Sequence, residues 1–418
     1  MTQTITPCPS CGAPLASLEG HPVWCPGCGW GLGADEPQRR GLRGRFDRWS
    51  SRRVEALYAE VAQSPAERPG WDAARVASYA LALGVHLCTA ALVAFAVWVF
   101  AAMRTPVLIV LAVLALLVAW LLLPRFGSLR KLPDVRRRAD APALFALLDR
   151  VAAELGVKPV DAVVVSEDFN AAYGTVGLRR RRVLFLGLPL WESLTAQQKV
   201  ALLGHEFAHG ANGDAAHGVV VGTSLSTLAR LHALLRPGPP DDRLNYLIDL
   251  CLRVVQGAAS TVVGSVLVLQ HMITLRAGQR AEYLADRLAA RLASPEAAAG
   301  MLETLVVAED THLTAVQRHA LAGRTAGYWD DLRGALAALP DSERERRLRV
   351  SARRRLRVDR SHPPTHLRIA VLRALPAADP ALLMKPDEEQ RIRTGLAADY
   401  DLIARRLHDD ALERLHMG

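Results

Sequence analysis

Two uninterrupted apolar runs dominate the hydrophobic pattern of this chain. Val76 to Met103 holds no charged residue, and neither does Thr105 to Leu123. Each is long enough to cross about 30 Å of hydrocarbon as a helix. Arg104 and Pro106 mark a tight turn between them. The competing expectation is a helical hairpin buried in a soluble core, which runs of this length disfavour. Two further stretches, Ala215 to Ala229 and Val254 to Leu275, are also uncharged. They flank a Pro-rich loop at Arg236–Arg243 and are expected as two more membrane-embedded helices, or as core helices roofing a site. His217 and His271 within them are expected to be structural rather than ligands, and His86 in the first run is expected to be packed or interfacial, with no role assigned.

Elsewhere the pattern is shorter and amphipathic. Asp140 to Gly156 predicts a helix with Leu144, Leu147, Leu148 and Val151 on one face. Val160–Ser166 and Val183–Leu186 are β-rich and are expected to pair as a hairpin sheet. An exposed edge of that sheet would accept an extended peptide by strand addition. Thr195-Ala196-Gln197-Gln198 is a capping box that opens the next helix.

That helix carries the densest chemistry, Gly204-His205-Glu206-Phe207-Ala208-His209-Gly210. Positions i and i+4 share a helix face, so His205 and His209 point two imidazole nitrogens at one metal ion. Glu206 stands where its carboxylate reaches water at that metal. Neutral nitrogen ligands, an open position and a general base are what a zinc hydrolase needs. Downstream, Ala281-Glu282-Tyr283-Leu284-Ala285-Asp286 is again helical. Glu282 supplies a third ligand. Asp286, one turn later, can hydrogen-bond the second nitrogen of a ligand histidine and fix its tautomer.

Charge and cysteine usage then add a second metal site and an orientation. The 418 residues suffice for more than one domain. The formal net charge is +9, carried mainly by arginine, and the arginines flank the apolar runs. Arg39, Arg40, Arg43, Arg45, Arg48, Arg52 and Arg53 precede the first, interleaved with Phe46 and Trp49. Arg125, Arg130, Lys131, Arg136, Arg137 and Arg138 follow the second. The positive-inside rule places both flanks in the cytoplasm, with residues 34–75 as a basic linker on anionic headgroups. Four of the six cysteines form two near-copies, Cys8-Pro9-Ser10-Cys11-Gly12 and Cys25-Pro26-Gly27-Cys28-Gly29. Each is a tight turn presenting two thiolates, and together they predict a closed four-thiolate zinc ribbon at 1–33, structural rather than catalytic. The first 30 residues hold no apolar signal segment, and the cysteine pattern is not a secreted disulfide framework. Nucleic acid is not an expected partner: no Lys or Arg precedes Arg39.

At this point the chain resembles a known family. His205-Glu206-x-x-His209 followed by Glu282-x-x-Ala285-Asp286, after an apolar hairpin, is similar to the HtpX-type membrane metallopeptidases. Their relatives include the CAAX prenyl protease and the mitochondrial inner-membrane stress protease. The likeness spans roughly residues 76 to 375. Asn170-Ala171 matches the family's N-A segment before its edge strand, and Ser361-His362-Pro363-Pro364-Thr365-His366-Leu367-Arg368-Ile369 matches its S/T-H-P-P…R-I element. Two departures stand out. Gly278-Gln279 precedes Arg280 where many members carry Ser-Arg, and the zinc ribbon is an addition. The resemblance implies hydrolysis of peptide bonds in membrane or membrane-associated proteins at the cytoplasmic face, often for quality control. It implies Asn170 and Ala171 as substrate contacts, and it makes His362 and Arg368 candidate donors to the oxyanion.

The expectation is a mainly α multi-pass protein of the cytoplasmic membrane. It comprises a zinc ribbon at 1–33, a linker at 34–75, a transmembrane hairpin at 76–124, a zincin-type peptidase domain with a small β-sheet at 125–375, and a helical tail at 376–418. It would carry one catalytic and one structural zinc, with polypeptides and the lipid bilayer as partners. The alternative is a membrane-tethered sensor acting through its ribbon, with the peptidase fold as scaffold. The intact set of His205, Glu206, His209 and Glu282 disfavours that alternative.

Overall fold

The computed structural model describes residues 4–17, 20–33, 52, 54–63, 73–103, 105–123, 127–211, 214–239, 246–353 and 362–417. Most of the expected basic linker, Arg104, Arg125 and Ser361 lie outside these residues, as does the side chain of His217. The chain divides into two compact units. One contains residues 1–68, 128–211 and 282–418, and the other 69–127 and 212–281.

The first unit is helical around a four-stranded sheet. Strands β1 (Thr4–Pro7) and β2 (Pro14–Ser17) form a separate antiparallel pair at the N-terminus. The main sheet contains β3 (Val135–Arg136), β4 (Ala162–Ser166), β5 (Ala171–Val176) and β6 (Arg181–Gly187) in the order β3-β4-β6-β5. The expected hairpin between the stretches at 160–166 and 183–186 is corrected here. β4 and β6 run parallel, Ala162 opposite Val183. The antiparallel partner of β6 is β5, with Tyr173 opposite Leu184. The chain reverses at 177–180, where Gly177 and Arg180 both take positive φ. β5 has no apolar alternation in Ala-Ala-Tyr-Gly-Thr-Val, and it is half-buried along its whole length. That is the signature of an edge strand, and it hides from a search for hydrophobic runs.

The helix expected at 140–156 spans Pro142–Glu154 and buries Leu144, Leu147, Leu148 and Val151 in the core. The capping box forms as expected. The Thr195 N–H donates to Gln198 Oε1 at 3.1 Å, and the Gln198 N–H to Thr195 Oγ1 at 3.4 Å. It opens the helix Ala196–Ala211, whose Val200, Ala201, Leu203 and Phe207 are fully buried. Gly204 allows a close crossing on that helix. A Cβ there would sit 3.2 Å from the Cα of Ala289 on the helix Tyr246–Ala293. This small residue lets the backbone carrying Glu282 pass over the helix carrying His205.

The second unit contains the helices Ala73–Ala102, Pro106–Leu122 and Asp214–Leu235, and the first part of Tyr246–Ala293. Ala73–Ala102 and Tyr246–Ala293 are long and apolar enough to cross a membrane by length and composition. Polar side chains inside this unit satisfy backbone carbonyls. His86 Nε2 lies 3.1 Å from the Val220 carbonyl, and the Thr227 hydroxyl donates to that of Leu122 at 3.2 Å.

Gly187, at the end of β6, tests the seating of the edge strand. A Cβ there would lie 1.8 Å from the Asp168 carbonyl oxygen, in the segment that leads into β5. Gly187→Ala is therefore expected to cost stability at or above the upper end of the ~1–3 kcal/mol typical of overpacking. Denaturant unfolding of the full chain would measure it.

Candidate metal centre

The helix Ala196–Ala211 turns His205 inward, where it is buried, and leaves His209 at the rim. Their ring centroids are 5.0 Å apart at 88°. Glu282 Oε2 lies 3.4 Å from His205 Nε2, and Glu282 Oε1 lies 3.5 Å from His209 Nε2. One ligand atom from each of the three residues falls within 4.8 Å of the others. Ligands about 2.1 Å from a tetrahedral zinc stand roughly 3.4 Å from one another. The separations to Glu282 match that spacing. Glu282 Oε2 is buried and has no aligned hydrogen-bond donor, although His362 Nδ1 stands 2.7 Å away. A buried carboxylate facing two imidazole nitrogens at these separations fits a metal ion.

Behind the histidine, Asp286 Oδ1 is 3.1 Å from His205 Nδ1. This contact assigns the proton to Nδ1 and turns Nε2 toward Glu282. Asp286 is itself held by Arg368, whose Nε and an Nη donate to its two oxygens at 2.8 and 2.6 Å. Both partners are buried. Arg368, expected as a donor toward the substrate, spends its fork on Asp286 instead. A guanidinium presents paired donors that match a carboxylate edge, and a buried carboxylate needs such a partner.

The electrostatics favour a cation. Burial alone would push the carboxyl groups of Glu282 and Asp286 up. His205, His362 and Arg368 around Glu282, and Arg368 and His205 around Asp286, outweigh burial and hold both below the usual range. Burial would also strip the charge from His205, but hydrogen bonding to Asp286 and Glu282 prevails and lifts its pKa to about 10. Such a pocket stabilises positive charge on its imidazole side, carried either by a proton or by a metal ion.

Glu206 is nearly buried, and its Oε2 accepts the backbone N–H of Tyr173 on the edge strand at 3.0 Å. The Tyr173 ring packs against Gly210, where a Cβ would be 3.0 Å from it. Tyr173 is the residue that sequence reasoning missed. Its contribution is a main-chain donor, and no side-chain pattern marks one. Ala171 opens β5, and the Asn170 carbonyl accepts the Gly187 N–H at 2.9 Å. His362 is half-exposed beside Glu282.

The four cysteines form a second cluster. Cys8 and Cys28 sulfurs are 3.7 Å apart, and those of Cys11 and Cys25 are 3.6 Å apart. Zinc–sulfur bonds of about 2.3 Å give tetrahedral edges of roughly 3.8 Å. The two turns are built alike. Gly12 and Gly29 donate to the carbonyls of Cys8 and Cys25 at 2.9 and 2.8 Å, each glycine with positive φ. Four sulfurs at this spacing fit a thiophilic ion.

Two imidazoles and a carboxylate converge here, and Glu206 follows the first imidazole in sequence, a donor set that fits a metal-dependent hydrolase. Residues 138–375, more than half of the chain, match peptidase family M48, and the chain belongs to that family as a metallopeptidase. No curated protein matches the chain.

Asp286→Asn keeps the shape of the side chain while weakening its hold on both His205 and Arg368. Competition with a chelator is expected to show zinc affinity at this site lowered by about 10–100-fold, the usual effect of removing the partner of a ligand histidine.

Proposed function

We propose that the protein is a membrane-embedded, zinc-dependent endopeptidase of the HtpX-like kind. It would cut polypeptides, among them membrane proteins, at the cytoplasmic face in protein quality control. The observation that carries the peptidase reading is the convergence of His205, His209 and Glu282 beside a Glu206 that hangs from the edge strand.

Zinc held by His205, His209 and Glu282 would supply Lewis-acid polarisation of the scissile carbonyl and acidify the attacking water. The chain supplies the rest. Tyr173 N–H fixes Glu206 Oε2, which leaves Oε1 to take the water's proton and deliver it to the leaving amine. β5 offers its open edge to an extended peptide starting at Asn170 and Ala171, so a strand laid along it runs past the base. Asp286 and Arg368 are positioning residues that keep His205 in one tautomer. His362 is the side chain we assign to the developing oxyanion.

Membrane residence rests on the second unit. Leu83, Leu87, Val97, Trp98, Phe100, Val107 and Val110 are among many large apolar side chains exposed on its first two helices. A core helix of a soluble protein would be mostly buried, whereas the most apolar windows of Ala73–Ala102 and Tyr246–Ala293 are 17% and 6% buried. The arginines flanking the hairpin support cytoplasmic placement of the catalytic unit.

The test is made on the full chain in detergent. Two zinc ions per chain are expected, with cleavage of an unfolded protein substrate. Glu206→Ala should lower the rate by about 10²–10⁴-fold, the usual contribution of a general base. A single zinc bound by the cysteines alone would sink the enzymatic reading.

A further inference from the structure

The four-cysteine module does not stand apart from the catalytic unit. Arg349, on the helix Asp341–Arg353, donates through Nη1 to the Pro26 carbonyl at 2.6 Å, inside the second cysteine turn. Its guanidinium also lies over the Trp24 ring, 5.1 Å from the centroid. Arg353 donates to the Gly33 carbonyl at 3.4 Å, and it lies so close to Gly29 that a Cβ there would overlap its guanidinium. These carbonyls face the arginines only while the turns hold their shape. A module this small depends on its metal to do so. The arginine helix is rooted in the core at its middle: Arg347 donates to the Val307 carbonyl and the Thr311 hydroxyl at 2.6 and 2.7 Å.

Two features tie this contact to the metal centre. Eight residues separate Arg353 from His362, which touches Glu282. The chain that follows the ribbon returns to the same site. The helical residues 54–63 bury Val54, and the Val61 carbonyl accepts from Arg287, next to Asp286, at 2.9 Å. The N-terminal segment thus grips the catalytic unit at two points, each close in sequence to a residue of the centre.

We infer that the four-cysteine module is an internal brace, and that its metal occupancy sets how well His362 is presented at the peptidase centre through Arg349 and Arg353. The brace rests on the peptidase reading above. It makes Arg349 and Arg353 positioning residues and couples the two metal sites. Coupling is reciprocal, so undocking must also loosen the ribbon's hold on its own ion.

The experiment uses full-length protein in detergent and compares wild type with the double variant Arg349→Ala/Arg353→Ala. Arg391→Ala, on a surface helix, serves as control. Three readouts are taken: release of zinc to a colorimetric chelator, limited tryptic cleavage of the full chain, and hydrolysis of an unfolded protein. The double variant is expected to release one zinc per chain faster by about tenfold, and to lose kcat with little change in KM by a similar factor. Tryptic cleavage should accelerate in parallel, and Cys11→Ser/Cys28→Ser should reproduce the kcat and trypsin effects. Wild-type zinc retention in the double variant would overturn the inference. So would faster zinc release with unchanged kcat and trypsin resistance, because the ribbon would then be an independent module. If wild type carries two zincs yet cleaves nothing, the peptidase reading fails on its own, and zinc release with tryptic cleavage still decides whether the brace exists.

Discussion

The interaction on which the rest depends is the buried chain Arg368–Asp286–His205. Asp286 without Arg368 would be an ionised carboxylate in a dry core, which costs several kcal/mol. Arg368 without Asp286 would be an equally unfavourable buried cation. Paired, they form a fixed acceptor for His205 Nδ1, and that contact aims Nε2 at Glu282. Three elements far apart in sequence are locked by it: the helix Ala196–Ala211, the helix that carries Glu282, and the helix Thr365–Arg373. A metal ion would complete this geometry where Glu282 and two imidazoles already face one another. The candidate metal pocket is thus a consequence of how a buried ion pair is satisfied.

The sheet supplies the second constraint. β5 closes the edge of a sheet whose interior strands are parallel, so its outward amides have no strand partner among the described residues. One of them binds the base. In the proposed reaction, placing Glu206 on the same edge that would pair with a peptide would link orientation of the general base to substrate alignment without a dedicated side chain. Gly204 and Gly210, on either side of the histidine motif, serve the two sides of this arrangement. One admits the Glu282 helix and the other admits the Tyr173 ring.

Much of this was legible in the sequence because it is written in side chains at fixed helical spacing. His205, Glu206, His209, Glu282 and Asp286 follow from the i, i+4 rule and from ligand chemistry, and the structure brings them together. The capping box at Thr195 and the paired cysteine turns are equally local. What escaped was non-local or carried by backbone. The parallel pairing of β4 with β6 depends on a strand with no apolar alternation. The Tyr173 amide has no residue signature. Arg368 looked like a substrate contact because its partner lies 82 residues away on another helix. The docking of the cysteine module on Arg349 was hidden for the same reason. An arginine-rich helix reads as a solvated surface until something is found lying on it.

The central claim is that His205, His209 and Glu282 hold a metal ion in a site distinct from the cysteines. X-ray absorption at the zinc edge, on protein whose ribbon is emptied by Cys11→Ser/Cys28→Ser, addresses it most directly. The account predicts one remaining zinc with a shell of nitrogen and oxygen at about 2.0–2.2 Å, imidazole back-scattering and no sulfur at about 2.3 Å. A protein left with no zinc, or with zinc still bound only to sulfur, would contradict it.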